Sequence, residues 1–217
     1  MGTFPLVARE IFRMSTEYSG MEKYLKSCKS DFWKAVFQAE SDYIMHQLKG
    51  AKDILSIGCG PAMIESDMAK HGFNITGLDI SKEALSQAPD NIRTVIGSAE
   101  IMEFENSSFD AAVYVVSLQF IQKYEQAIKE TARILRSQGK LVVMLLNQQS
   151  EFFKEKTKIP DSYISRIKHI DSKKIEKAIS EFFFINTEYF LGIKGTEIFQ
   201  SSDYNLASLY VINGVKK

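Results

Sequence analysis

Residues 53–81, DILSIGCGPAMIESDMAKHGFNITGLDIS, decide the fold. DILSIG is a short apolar run that enters a glycine-rich turn, and PAMIESDMAKHG reads as a helix stopped by Gly72. FNITGLDI is a second strand, followed by Ser81 as the N-cap of another helix. Strand, helix and strand at this spacing form a βαβ unit, whose strands lie parallel in one sheet. Gly58 and Gly60 let the backbone turn tightly and approach a ligand where a side chain would block it. Asp79 ends the next strand 79 − 58 = 21 residues after Gly58. At about that separation an acidic side chain reaches a ribose in nucleoside-binding α/β folds, because a carboxylate accepts hydrogen bonds from both hydroxyls. Cys59 lies inside the apolar run and reads as a packed thiol.

The pattern continues outward. SKEALSQA is helical, NIRTVIG is a third strand, and FDAAVYVVSL is a fourth. The fourth is almost continuously apolar, as a strand covered on both faces should be. YEQAIKETARILRSQG reads as an amphipathic helix with Ala127, Ile128, Ile134 and Leu135 inward and Gly139 just past its end, and KLVVMLLN as a fifth strand. After the helical DSKKIEKAISEF, two strands follow with no helix between them, FFINTEYFLGI and LASLYVING. They predict an antiparallel hairpin closing the sheet edge. On the other side, residues 15–50 read as helical, with Phe32, Trp33, Val36, Phe37, Tyr43, Ile44 and Leu48 at three- and four-residue spacings.

Composition sets the outer limits. A chain of 217 residues with 45% hydrophobic and 25% charged residues suits one α/β domain with a sizeable core. Lys+Arg and Asp+Glu both number 27, and this zero balance gives no reason to expect a nucleic-acid partner. The two cysteines, Cys28 and Cys59, have no metal-ligand spacing, which predicts no metal site and fits a reducing cytoplasm. No window approaches 18 uncharged apolar residues, so no membrane span is expected, and Arg9, Glu10 and Arg13 interrupt the N-terminus too early for a signal peptide.

A dinucleotide-binding dehydrogenase is the obvious rival. Its fingerprint requires a third Gly or Ala three residues after the second, where this chain has Met63, and Pro61 occupies the loop. A nucleoside ligand without a pyrophosphate needs no such loop.

Four stretches in order, ILSIGCGPA, GLDIS, GSAEIMEFENSSFDAAV and KETARILRSQGKLVVML, resemble the class I S-adenosylmethionine-dependent methyltransferases. The resemblance runs from about residue 52 to 146 and is to the small-molecule branch, methyltransferase type 11, that includes ubiquinone and menaquinone biosynthesis enzymes. It implies a Rossmann-like, mostly parallel seven-stranded sheet with helices on both faces and the C-terminal antiparallel hairpin. It also implies one domain over 1–217, with 1–50 as a helical cap or lid, 51–149 as the cofactor core, and 150–217 as lid segment and hairpin.

The resemblance further implies S-adenosylmethionine as cofactor, S-adenosylhomocysteine as product and a small-molecule acceptor. By position, Gly58 and Gly60 pass under the methionine part, Asp79 binds the ribose, and Ile80 packs on the adenine. Ser98, Ala99 and Glu100 form the adenine pocket, and Tyr114 and Val115 lie beside the methionine moiety. Ser56 stands where relatives carry an acid that helps hold the methionine amino group, Ser98 replaces an adenine-binding Asp, and Ala62 replaces a third glycine. Those departures keep a second reading open: a cofactor-binding relative without catalysis, with a binding or regulatory role. No carboxylate–histidine pair offers itself as a base. His71 reads as a helix C-cap, Gln119 falls where many relatives place an acceptor-facing His, and Lys154, Lys156 and Lys158 sit in a candidate lid.

Overall fold

The computed structural model describes residues 30–159 and 162–217. In chain order they form α1 (Asp31–Gln47), β1 (Asp53–Ile57), α2 (Met63–Lys70), β2 (Asn74–Asp79), α3 (Lys82–Leu85), β3 (Arg93–Ile96) and β4 (Phe109–Val115). There follow a 3₁₀ turn (Leu118–Phe120), α4 (Tyr124–Ile134), β5 (Leu135–Leu146), α5 (Glu151–Lys156), a second 3₁₀ turn (Tyr163–Arg166) and α6 (Ser172–Ser180). The chain closes with β6 (Phe183–Lys194), β7 (Glu197–Phe199) and β8 (Ala207–Lys216).

These strands make one sheet in the order β3-β2-β1-β4-β5-β8-β6-β7. Pairings among β1 to β5 are parallel; those of β8 with β5 and β6, and of β6 with β7, are antiparallel. The expected tail hairpin is present, with β8 inserted between β5 and β6. The sheet has eight strands where seven were expected, because β7 folds back on the end of β6 around Gly195. The chain runs outward from β1 to β3, then returns to lay β4 against β1. That reversal opens a crevice beyond the C-terminal ends of β1 and β4, where α/β sheets bind ligands.

Side chains alternate across the sheet with a period of two. Leu55, Ile57, Ala112, Tyr114, Leu141, Val143 and Leu145 join the core beneath α4 and α6. Ile54, Ala111, Val113, Val142, Met144 and Leu146 join the opposite core, with Val36, Ile44 and Leu48 of α1 and Met68 of α2. Ser30 caps α1 by accepting from the Trp33 N–H, Ser81 caps α3, and Asp171 caps α6.

One expectation needs correction. Helix α4 stops at Ile134, four residues earlier than the apolar periodicity suggested, because Leu135 is extended and pairs with Phe109. Its Arg136-Ser137-Gln138-Gly139 continuation belongs to an irregular start of β5. A Cβ on Gly139 would lie 2.8 Å from the Arg136 carbonyl, so this glycine permits a close approach and does not cap the helix. Of the helical cap or lid expected over residues 1–50, residues 1–29 lie outside the described residues, and α1 packs on the sheet through Val36, Ile44 and Leu48.

The loop after β3 is tied to α4 by two side chains, Arg133 and Glu130. Arg133 donates to the carbonyls of Met102 and Phe104, both at 2.7 Å, and pairs with Glu130, which accepts the Met102 N–H at 2.9 Å. Replacing Arg133 by Met should destabilise the protein by about 1–3 kcal/mol, since two backbone carbonyls lose a charged donor. Urea unfolding measures this; an unchanged midpoint would show that water replaces those bonds without loss.

Candidate functional site

The turn after β1 is built from backbone geometry. Gly58 (φ +72°) and Gly60 (φ +55°) both take left-handed conformations that favour glycine. The N–H groups of Gly58 and Cys59 both donate to the Leu78 carbonyl, at 2.7 and 3.3 Å. A Cβ on Gly58 would lie 2.5 Å from the Ser117 Cβ, while a Cβ on Gly60 would meet nothing within 4 Å. Ser117 packs so closely because its Oγ donates to the Ile57 carbonyl at 2.6 Å, joining the end of β4 to the end of β1. Ala62 takes the place of a third glycine with φ +54°, buried at the start of α2.

Asp79 fastens this turn to the next. Its Oδ2 accepts the Gly60 N–H and its Oδ1 accepts the Ser81 N–H, both at 2.8 Å. A carboxylate has about four acceptor positions, so two remain for hydroxyl donors. Ser98 Oγ accepts the Glu100 N–H at 3.1 Å, and Glu100 Oε1 accepts the Lys123 N–H at 3.0 Å.

A cavity of about 570 Å³ opens at this point. Of the residues singled out in the sequence, Gly58, Asp79, Ile80, Ser98, Ala99 and Glu100 line it. Ile80 is 77% exposed at its rim, a large apolar side chain with its face open. Gly60 does not line it, but its N–H is held by Asp79, which does. Four others are placed elsewhere. Tyr114 is buried in the α4-side core, its hydroxyl 2.7 Å from Thr131 Oγ1, because strand alternation turns it away from the crevice. Val115 packs on the α1 side, and the cavity wall at the end of β4 is Val116 and Ser117 instead. Cys59 is half-buried and packs on β2, where a Cβ on Gly77 would lie 2.6 Å from its Sγ. Ser56 is buried behind the turn, its Oγ bonded to Glu65 Oε1.

Gln119 is fully committed to structure. Its side chain accepts the Leu146 N–H at 2.7 Å and reaches the Leu146 carbonyl, and its own carbonyl accepts the N–H groups of Lys168 and His169. This docks the 162–170 segment so that Lys168 joins Phe120, Ile121 and Gln122 on the cavity wall. His71 is the C-cap residue of α2, as expected, with Nδ1 3.0 Å from the Asp67 carbonyl oxygen.

The sequence model of the methyltransferase domain family matches residues 55–143. Over that span the chain is similar to methyltransferases. It is 31% identical over 110 residues to a sterol 4-C-methyltransferase of Caenorhabditis elegans, covering 46% of this chain and 33% of that protein. It is 30% identical over 115 residues to a ubiquinone biosynthesis O-methyltransferase of Coxiella burnetii, covering 49% of each. The chain thus spans a third to a half of the length of these relatives. Among solved structures, a methyltransferase of Thermotoga maritima described as a possible histamine N-methyltransferase superposes with TM-score 0.75 at 19% identity, over 92% of this chain and all of that one. That likeness is one of fold.

The cofactor implied by this family is S-adenosylmethionine. The site fits it on three counts: a glycine turn with Gly58 on the cavity wall, an acid with spare acceptor capacity at the end of β2, and an apolar rim at Ile80. Among the described residues no group of three or more His, Cys, Asp or Glu could hold a metal ion.

Sequence reading missed two buried acids. Glu40 lies on the apolar stripe Val36–Glu40–Ile44 of α1 and is 5% exposed; Glu65, in the first turn of α2, is 3% exposed. Burial, then the charge of Glu65, pushes the Glu40 carboxyl up to about 8. Burial also pushes Glu65 up to about 6, against its hydrogen bond from Ser56. The legible signal was an acid at an i, i+4 position between two aliphatic residues.

These shifts predict a pH dependence. A carboxyl whose pKa is raised on folding binds more proton in the native state, so its contribution is present below about pH 4.5 and lost as pH rises through 6 and 8. Asp110, Glu130 and Glu176 are shifted downward and act below that window. The urea midpoint should therefore fall between pH 5.5 and 8.5, and Glu40→Gln should flatten most of the fall. A flat wild-type profile would contradict the burial of ionisable acids here.

Proposed function

We propose that this chain is an S-adenosylmethionine-dependent methyltransferase acting on a small-molecule acceptor. The observation that carries the reading is the coincidence of the Gly58–Gly60 turn, Asp79 with two free acceptor positions, and an open cavity at the reversal between β1 and β4. In this reading Asp79 receives the ribose hydroxyls, Ile80 and Ala99 hold the adenine between them, and Ser98 and Glu100 bond its polar edge. Gly58 and Gly60 admit the methionine part because the turn carries no side chain at either position, with open space beside Gly60. The names of the relatives, a sterol and a ubiquinone-pathway methyltransferase, support a small organic acceptor.

The cofactor supplies an already activated methyl group when bound. The protein's task is then to align the acceptor and exclude water. Phe120 and Ile121 are suited to exclusion, since they add apolar surface to the cavity wall, and the docked 162–170 segment adds Lys168 beside them. No His–carboxylate pair faces the cavity among the described residues, so acceptors that need little help in losing a proton are favoured. The 1–217 chain is read as one domain, with 51–149 as the cofactor core.

S-Adenosylhomocysteine should bind in the micromolar range, roughly −7 to −8 kcal/mol. Asp79→Ala should cost about 1.5–3 kcal/mol of that affinity. Because Asp79 also fastens Gly60 and Ser81, the variant should lose some stability yet remain folded by circular dichroism. Calorimetry with S-adenosylhomocysteine decides: no heat at millimolar ligand on folded protein sinks the reading. A cofactor-binding relative without catalysis would bind equally but release no S-adenosylhomocysteine from S-adenosylmethionine across a panel of phenols, acids, amines and thiols.

A further inference from the structure

Among the described residues Lys168 is the only cationic side chain on the cavity wall, where the acids are Asp79 and Glu100. The two signs are anchored on opposite sides of the reversal in the sheet. Asp79 ends β2 and Glu100 follows β3, whereas Lys168 is held by Gln119, whose side chain bonds to Leu146 at the end of β5. The order β2-β1-β4-β5 sets the glycine turn and Ser117 between those anchors.

Both acids already serve the scaffold. Asp79 accepts two amides and Glu100 accepts the Lys123 N–H. The Lys168 side chain enters no ion pair among the described residues. Its backbone is nevertheless fixed. The N–H groups of Lys168 and His169 donate to the Gln119 carbonyl at 3.0 and 3.1 Å, and His169 Nε2 lies 3.1 Å from the Gln122 carbonyl oxygen. A charge on an anchored backbone costs only side-chain entropy to place. Next to it the wall is apolar, with Ile121 and with Phe120, whose ring stacks on Tyr163 of the same docked segment at 6.4 Å between centroids.

An apolar surface ending in one cation matches a small molecule with an apolar body and one negative group. One cation on a wall with two acids suits a single charge. A phosphate monoester, with about two charges and three acceptor oxygens, would be left under-paired there. A carboxylate is also ionised at neutral pH without a base, in keeping with a cavity that offers no His–carboxylate pair.

We propose that the acceptor is a small carboxylic acid with an apolar body, and that Lys168 selects it by pairing with the carboxylate while Phe120 and Ile121 take the body. This deepens the methyltransferase reading and rests on it. The cofactor's own carboxylate belongs to its amino-acid end, which that reading places at the Gly58–Gly60 turn and not at Lys168.

The test is calorimetry of the whole chain saturated with S-adenosylhomocysteine, titrated with acids and their neutral amides: 4-hydroxybenzoate and 4-hydroxybenzamide, indole-3-acetate and indole-3-acetamide, octanoate and octanamide. At least one acid should bind, about ten-fold more tightly than its amide, and the preference should shrink between about 0.05 and 0.5 M salt. Lys168→Met should remove the preference by weakening the acid, with amide affinity, S-adenosylhomocysteine affinity and Tm unchanged; Lys168→Arg should keep it. Lys168 is exposed and both variants retain its backbone bond, so both should fold. Three results overturn this inference and leave the cofactor site standing: amides binding as well as acids, no acid binding to the loaded chain, or Lys168→Met changing S-adenosylhomocysteine affinity and not that of the acid. Failure of S-adenosylhomocysteine to bind the folded wild-type chain overturns both readings together.

Discussion

The Asp79 carboxylate joins two turns that come from different parts of the chain. One oxygen takes the Gly60 N–H after β1, and the other takes the Ser81 N–H at the start of α3. Without that clamp the glycine turn would have no partner for its second amide, and the loop between β2 and α3 would lose its first hydrogen bond. The crevice exists because these two turns are held apart at a fixed width, with Ser117 bracing the third side against Ile57. A side chain at the end of β2 therefore shapes the cavity before any ligand arrives. Part of its acceptor capacity is spent on the scaffold and part remains for the site.

The second constraint is strand alternation. At β1, Leu55 and Ile57 face α4 while Ile54 and Ser56 face α1 and α2. The same parity removes Tyr114 from the crevice and puts Ser56 within reach of Glu65. A buried hydroxyl and a buried acid nine residues apart thus satisfy each other across the strand–helix junction. An acid at Glu40 in the apolar stripe of α1 has no such partner among the described residues. Burying a charge at that position is costly, so the carboxyl there is held neutral at pH 7.

The 162–170 segment shows how a stretch with little regular structure can still be fixed. Gln119 uses its side chain to extend the hydrogen bonding of β5 at Leu146, and its carbonyl then holds Lys168 and His169. His169 also packs on Tyr124, with ring centroids 4.6 Å apart. An amide at the position where the family resemblance expects an acceptor-facing His is here a bracket for the cavity wall.

The parallel half of the sheet, the glycine turn, the N-caps at Ser81 and the hairpin at the tail were all legible in the sequence. Each depends on local signals: apolar runs of strand length, glycines at positive φ, a Ser before a helix, and two strands without a helix between them. Asp79 was legible for the same reason, since its distance along the chain from Gly58 is fixed by one βαβ unit. The end of α4 was not, because Leu135 fits an apolar helical stripe and a strand equally well, and only pairing with Phe109 settled it. Nor was the placement of Tyr114 and Ser56, which turns on strand parity relative to helices far away in sequence. The burial of Glu40 and Glu65 depends on how α1 and α2 pack over the sheet, and the seating of Lys168 joins the chain's last third to the end of β4. Sequence determines what a residue can do within a few turns of its own backbone; the packing of distant elements on the two faces of one sheet decided which residues meet.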